Sequence, residues 1–489
     1  MKKAALIIFI FISTFFSSPS LAVTNIPAGK ISDDSSWEGE LHVEGLVTVE
    51  EGASLKIAPG SKVFFGTDGK LEILGGLIAK GEDGAPISFL ASRGVSRWKG
   101  IKVSGEKALL KLERVSVSDY EDFILTGLNG EIIDSTLKGG VTGLRFMMKG
   151  VSVFSGNIIE DMEKSGIEAT LGASPLVQGN IFKDCGEVGI YKGQNAFPLI
   201  QGNLIEGTKR GIFLVGDTAP VFDNVIKGGL IGIGISQATG EMVVGHNNIS
   251  SAEKAILCTQ FSSPVIESNV IRGSKVGIEC FQSSSPRIAH NNLENNDTAL
   301  NCNQLCEPEV VGNKISGNKV AIFLEASSYA QIKGNDLGGN AVVIKLGDMM
   351  SSDWESSASS KQRRSRQARN ENLVNKGRQV PQEYDDDTPE EVSVAAGGNW
   401  WGEEVTAKLE ELGPEGQVPE IEDGYDEPLK SYPGWEGEFK LDKVVYAPWL
   451  TEPPEGAGPF EKGASKWEER VVGRLLEKGF SRKEPPKIP

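Results

Sequence analysis

Positive charge, histidine, cysteine and long apolar runs are all scarce in this chain of 489 residues, and each shortage removes a class of function. Lys and Arg number 50 against 67 Asp and Glu, a net charge of −17. Such a surface repels nucleic acid and anionic lipid and favours cations, basic partners or neutral glycans. The three histidines, His42, His246 and His290, stand without a Met-rich or Cys-x-x-Cys segment, which leaves little for a transition-metal centre. No metal or other cofactor is expected. Five cysteines are an odd number, so a complete disulfide framework is excluded. The long apolar run at Ala4–Phe16 is short for the ~20 residues of a bilayer span. Lys2 and Lys3 precede it and Ser20-Leu21-Ala22 follows, so residues 1–22 read as an export signal. No cysteine follows the cut to carry a lipid, and no transmembrane segment is expected after removal of the signal.

What the chain has is a repeat. An asparagine followed two residues later by a large apolar side chain occurs nine times, at Asn157, Asn180, Asn203, Asn224, Asn247, Asn269, Asn291, Asn313 and Asn335, at intervals of 21 to 23 residues. Periodicity of that length means a solenoid. A second column pairs a small residue with an apolar one, from Gly166-Ile167 to Ala321-Ile322. A third sets proline ahead of the Asn segment at Pro175, Pro198, Pro220, Pro264, Pro286 and Pro308, with Glu241 and Ala330 as exceptions. Each coil therefore holds three short alternating strands between corner residues, too little to bury an inner face alone. Stacking coils ~4.8 Å apart buries it and sets like residues on like. The repeat contains no helical i, i+3, i+4 run. The asparagines read as corner posts whose amides satisfy one another and the turn backbone, not as catalysts.

On these columns the chain resembles the right-handed parallel β-helix repeat proteins, the group that includes pectin-lyase-like enzymes. Gly45–Gly60, Gly75–Gly81 and Ala85–Phe89 are similar to the opening coils of exported members. Gly398-Asn399-Trp400-Trp401-Gly402 and Val445–Leu450 are similar to the segments that close the helix. The resemblance spans residues 38–452 and implies an all-β, single-stranded right-handed parallel β-helix of about 22-residue coils. The expected organisation is a signal at 1–22, the β-helix at 23–348 and a polar, mobile insertion at 349–392. A final coil and cap at 393–452 and a linker with an amphipathic tail at 453–489 complete it. Residues 403–412 read as a short capping helix, and the Trp pair as cover for the open end. In the tail, Trp467, Val471, Leu475 and Leu476 share one side at helical spacing and are expected to pack back on the rod.

Cys258, Cys280 and Cys302 are spaced by 22 residues and fill a column held elsewhere by Leu214, Ile235, Leu324 and Ile344. They are expected to stack inside the rod as thiols. The alternative is a bridge among them or between Cys302 and Cys306, because adjacent rungs lie within disulfide reach. Cys185, in a corner of an earlier coil, has no evident partner. The residue before the Asn column is usually glycine but becomes Asp223, His246, Ser268 and His290 in four consecutive coils. Asp223 and His246 are thus candidate catalytic residues if they point outward together. The histidines, two rungs or ~9–10 Å apart, are far for one shared metal.

The resemblance to pectin-lyase-like enzymes implies clustered carboxylates that bind calcium, or closely paired aspartates, and no such cluster stands on the repeat. Gly245-His246 resembles part of a hydrolase motif but lacks the paired aspartates and an Arg-x-Lys partner. An outward column carries Glu168, Tyr191, Phe213, Leu257, Glu279 and Phe323. Tyr191 and Phe213, flanked by Glu168 and Glu279, are candidate sugar-stacking and ligand-binding residues, with burial of the two rings under the tail or insertion the competing expectation. The sequence therefore points to an exported protein, periplasmic or at the cell surface, that binds a polysaccharide or other envelope component without catalysis. The rival is a polysaccharide lyase, hydrolase or epimerase. A third reading, from the resemblance to copper-associated periplasmic members, has only three histidines to work with.

Overall fold

The computed structural model describes residues 23–216, 219–238, 242–357, 393–432, 436–477 and 479–487. The expected signal, Glu241 and the insertion from residue 358 to 392 lie outside them. The chain is a right-handed parallel β-helix, as its columns predict. Sheet A runs through 14 strands from Thr24–Ile26 to Lys314–Ser316 and sheet C through 14 from Ser35–Trp37 to Gln331–Lys333 among the described residues. Sheet B, with 16, runs from Gly29–Ile31 to Ile421–Glu422.

One coil shows how the sequence makes the rod. Ile158–Glu160 joins sheet A, Ser165–Thr170 sheet B and Leu176–Gln178 sheet C. Alternation points Ile159, Ile167 and Val177 inward, where they stack on Phe182, Ile190 and Ile200 of the next coil. All six are fully buried. The small-residue column follows from the sharp A-to-B corner: a Cβ on Gly211 would sit 2.6 Å from the Gly232 carbonyl oxygen and 2.9 Å from Ile226 Cγ2.

The asparagine posts stand at the C-to-A corner and are buried from Asn157 to Asn399. From Asn180 on, each Oδ1 accepts from the backbone N–H and the Nδ2 of the asparagine one coil earlier, as Asn247 does from Asn224 at 3.0 and 2.9 Å, while Asn157 Oδ1 accepts from Ser135 N. Each Nδ2 also donates to a backbone carbonyl; that of Asn247 reaches Val221 O at 3.0 Å. The post continues across the insertion, since Asn335 Nδ2 donates to Asn399 Oδ1 at 2.9 Å. A second, shorter post of Asn296, Asn318 and Asn340 occupies the A-to-B corner.

Helix α1 (Ser352–Ser357) opens the predicted insertion and is packed, with Trp354 buried 5.0 Å from the Tyr432 ring. Helix α2 (Glu403–Leu412) lies where a capping helix is predicted, and Trp401 is fully buried beneath the end of the rod. Helix α3 (Lys466–Glu477) returns to the outside of sheet C. No helix among the described residues is long and apolar enough to cross a membrane.

Candidate functional site

The thiol column is in register, Cys258 beside Cys280 and Cys280 beside Cys302. It continues into Leu324 and Leu346, not Ile344, which pairs with Ile322 one inward position earlier. All five cysteines are free and buried. Burial pushes the Cys258, Cys280, Cys302 and Cys306 thiols up, and that of Cys185 up to about 12. None is a nucleophile in the folded state. An alkylating reagent at neutral pH is expected to leave the native protein unlabelled and to modify all five cysteines after unfolding without reductant, read by intact mass. Fewer than five adducts would reveal a bridge.

Asp223, His246, Ser268 and His290 do line one edge, at the C-to-A corner, with φ between 52° and 60°. This left-handed conformation explains the glycine at the equivalent sites Gly202 (φ 63°) and Gly312 (φ 63°). The four side chains do not form an open acid/base site, because the C-terminal segment covers them. Arg482 grips Asp223 through Nε and Nη2, the latter 2.7 Å from Oδ1, while Lys462 Nζ lies 3.3 Å from Oδ1. Arg482 Nη1 also donates to Glu468 Oε1 at 2.7 Å. His246 Nε2 lies 3.2 Å from the same oxygen, within ion-pair reach but not aligned as a hydrogen bond. Ser268 Oγ accepts from Phe460 N at 3.2 Å, and the His290 and Phe460 rings lie 3.9 Å apart, tilted by 31°. Burial works to raise the Glu468 carboxyl, but Arg482, His246 and the backbone N–H groups of Gly463 and Ser465 outweigh it and hold it below the usual carboxylate range.

Trp467, Val471 and Leu475 of α3 are buried against Leu176, Phe222 and Val243 on the outer face of sheet C, as the tail's amphipathic pattern predicts. Leu476 departs from that pattern and is 62% exposed. Sequence reasoning missed Glu267, whose Oε2 accepts from Trp467 Nε1 at 2.6 Å. It also missed Lys192, wholly buried in an inward position between Ala169 and Leu214, with Nζ donating to Val215 O at 2.7 Å. The period-two pattern that turns Tyr191 outward already turns Lys192 inward.

Tyr191 and Phe213 pair across adjacent coils on the outer face of sheet B, opposite the covered corner. They are half-buried, and the tail lies on sheet C rather than over them; the insertion, the other expected cover, falls outside the described residues. Phe213 lies against Gly234 of the next coil, and the Arg210 guanidinium sits 5.1 Å from its ring centre. Glu168 pairs with Arg145 at 3.3 Å, and Glu279 pairs with Lys254 and accepts from Asn301 Nδ2 at 3.4 Å. Ser236 and Thr259 donate to Gln260 and Gln282 one coil on, at 2.7 and 3.0 Å, forming a polar border.

The fold defines a right-handed β-helix repeat protein, strapped along one corner and, among the described residues, uncovered on the outer face of sheet B. Residues 94–226 match the family model described as "Right handed beta helix region", and residues 200–367 that of "Periplasmic copper-binding protein (NosD)". No curated protein matches the chain. Among solved structures it is similar to the A-module of the Azotobacter vinelandii mannuronan C-5 epimerase AlgE6, at 12% identity and TM-score 0.22, over 67% of this chain and 87% of that one. The AlgE4 A-module of the same organism gives 14%, 0.21, 67% and 89%. The donor set does not fit copper. His42 stands on sheet A beside Glu40 and Phe64, His246 and His290 face the tail, and the thiols are sealed in the core. Among the described residues no three His, Cys, Asp or Glu side chains come together as metal ligands.

Proposed function

We propose that this protein is an exported, non-catalytic rod of the cell envelope that binds an extended glycan along the outer face of sheet B. The observation that carries this reading is the in-register pair Tyr191 and Phe213, half-buried on adjacent coils with no described segment over them, with Glu168 on the coil before, the Ser–Thr–Gln edge beside them and Glu279 three coils on. An aromatic ring offers a sugar an apolar platform, and neighbouring carboxylates and amides accept and donate to hydroxyls. The absence of catalysis is supported by Asp223 and His246, which are tied to Arg482 and Glu468 on the opposite corner of the rod. Similarity over residues 200–367 to a family described as periplasmic supports a place outside the cytoplasm.

The test is a glycan array and a depolymerisation screen on the same preparation. Binding without product is expected, and Tyr191→Ala with Phe213→Ala is expected to weaken it about tenfold with the fold intact. Product formation, or affinity untouched by the double substitution, overturns the reading.

A further inference from the structure

The segment after the cap makes contacts unlike those of the coils. Among its described residues, 456–477 and 479–484, it contributes no strand to any sheet, whereas Ile421–Glu422 of the cap extends sheet B. Its hold on the rod is largely side-chain: the apolar face of α3, and an ion cluster in which Asp223 and Glu468 are wholly buried. Backbone contact occurs at its start, where Gly458 N donates to Gly312 O at 2.8 Å. Near its end the Gln201 side chain takes both the N–H and the carbonyl of Lys483, and Gln178 donates to Ser481 O. The segment can therefore leave while every inter-coil ladder stays intact.

We propose that residues 456–484 form a detachable strap, locked by the Asp223–Arg482–Glu468 cluster, that seals an apolar interaction surface on sheet C. The sealed surface is an outward apolar patch across five consecutive coils: Leu176, Leu199, Val243 and Val265 share one column, and Phe222 stands in the outward column two residues further along the strands. Its occupant is α3, whose Trp467, Val471 and Leu475 recur at four-residue spacing and lie against this patch. The lock is electrostatic, because neutralising Asp223 leaves Arg482 and Lys462 facing a seat without an anion.

Acid is the natural key. Around the lock, Glu468 faces Arg482 of the strap and His246 of the rod, and Asp223 faces Arg482, Lys462 and Gln201. Glu267 faces the Trp467 indole and Arg287, and Lys462 also meets the exposed Glu484. Because the Glu468 carboxyl is lower in the closed state, its contribution is complete above the usual carboxylate range and is lost as pH falls through the lowered value. His246 stands beside Glu468 and favours its charged form, so opening waits for protonation of Glu468.

The experiment is hydrogen exchange on the full chain, comparing the wild type with Asp223→Asn and Trp467→Ala. Asparagine tolerates the left-handed corner, and the Trp467 change replaces no residue of the coils and breaks no inter-coil ladder. Amides of 466–477 are expected to exchange at least tenfold faster in both variants, with protection of sheet A unchanged. An acid-active protease should likewise clip the wild-type tail below the carboxylate range and leave the coils whole. Wild-type exchange in the tail of both variants overturns the proposal, as does loss of sheet A protection in step with the tail, which would make tail and rod one cooperative unit.

Discussion

Asn247→Ala is expected to destabilise the protein by roughly 3–5 kcal/mol, whereas Asn248→Ala, one residue on, costs less than about 0.5. Asn247 is 1% exposed, and its Oδ1 is the acceptor for both the backbone N–H and the Nδ2 of Asn224. Its own Nδ2 donates to Asn269 Oδ1 and Val221 O, each at 3.0 Å. Truncation strips partners from groups in two neighbouring coils where water cannot replace them, and each such group costs about 1–3 kcal/mol. The Asn224 amide keeps its bond to Phe222 O at 3.0 Å, which holds the estimate below the full sum. Asn248 has the same side chain on the exposed face of sheet A, so it controls for composition and strand propensity. Urea unfolding of the two variants decides the matter: midpoints that agree would mean the post is ornament and the apolar stack alone sets coil spacing. A solenoid amplifies the loss, since each coil is held chiefly by its neighbours.

The same column explains what could be read in advance and what could not. Periods of two and of about 22 are local signals, and they yielded the coil, the inward stack, the thiol register and the capping helix. The four residues that interrupt the glycine column gave an equally clear signal with the wrong meaning. An Asp and a His at consecutive corners look the same whether they face solvent or a partner, and their partner lies far along the chain, 259 residues from Asp223 to Arg482. Nothing in a coil's own sequence reports that distance. The outer column of sheet C was hidden for another reason: runs such as Pro175-Leu176-Val177 are apolar on both faces, so alternation cannot tell the inward residue from one covered by a helix. Tyr191 and Phe213 stand on the expected outer face, but the tail does not cover them, because it is seated on sheet C through the Trp467 to Glu267 bond and the Asp223 lock.

Trp401→Ala is expected to cost roughly 3–5 kcal/mol and to make the protein associate, while Trp401→Phe keeps more than half of that stability. Trp401 fills the inward place of the last coil, fully buried, with its ring edge-on to Tyr446 at 6.2 Å. Asn399, two residues earlier, ends the asparagine post, so the indole sits where the stack would otherwise meet solvent. Its Nε1 has no hydrogen-bond partner, and phenylalanine therefore forfeits volume but no polar contact. Alanine leaves the inward residue Leu337 of the coil below without a lid and loosens α2, which is seated through Val405 and Leu409. An uncovered terminal coil presents unpaired strand edges to any second copy, the condition under which sheets add to one another. Thermal unfolding with light scattering separates the two effects. A Trp401→Ala protein that melts with the wild type and stays monodisperse would shift the closing role to α2 and Tyr446, and make the tryptophan a passenger of the cap.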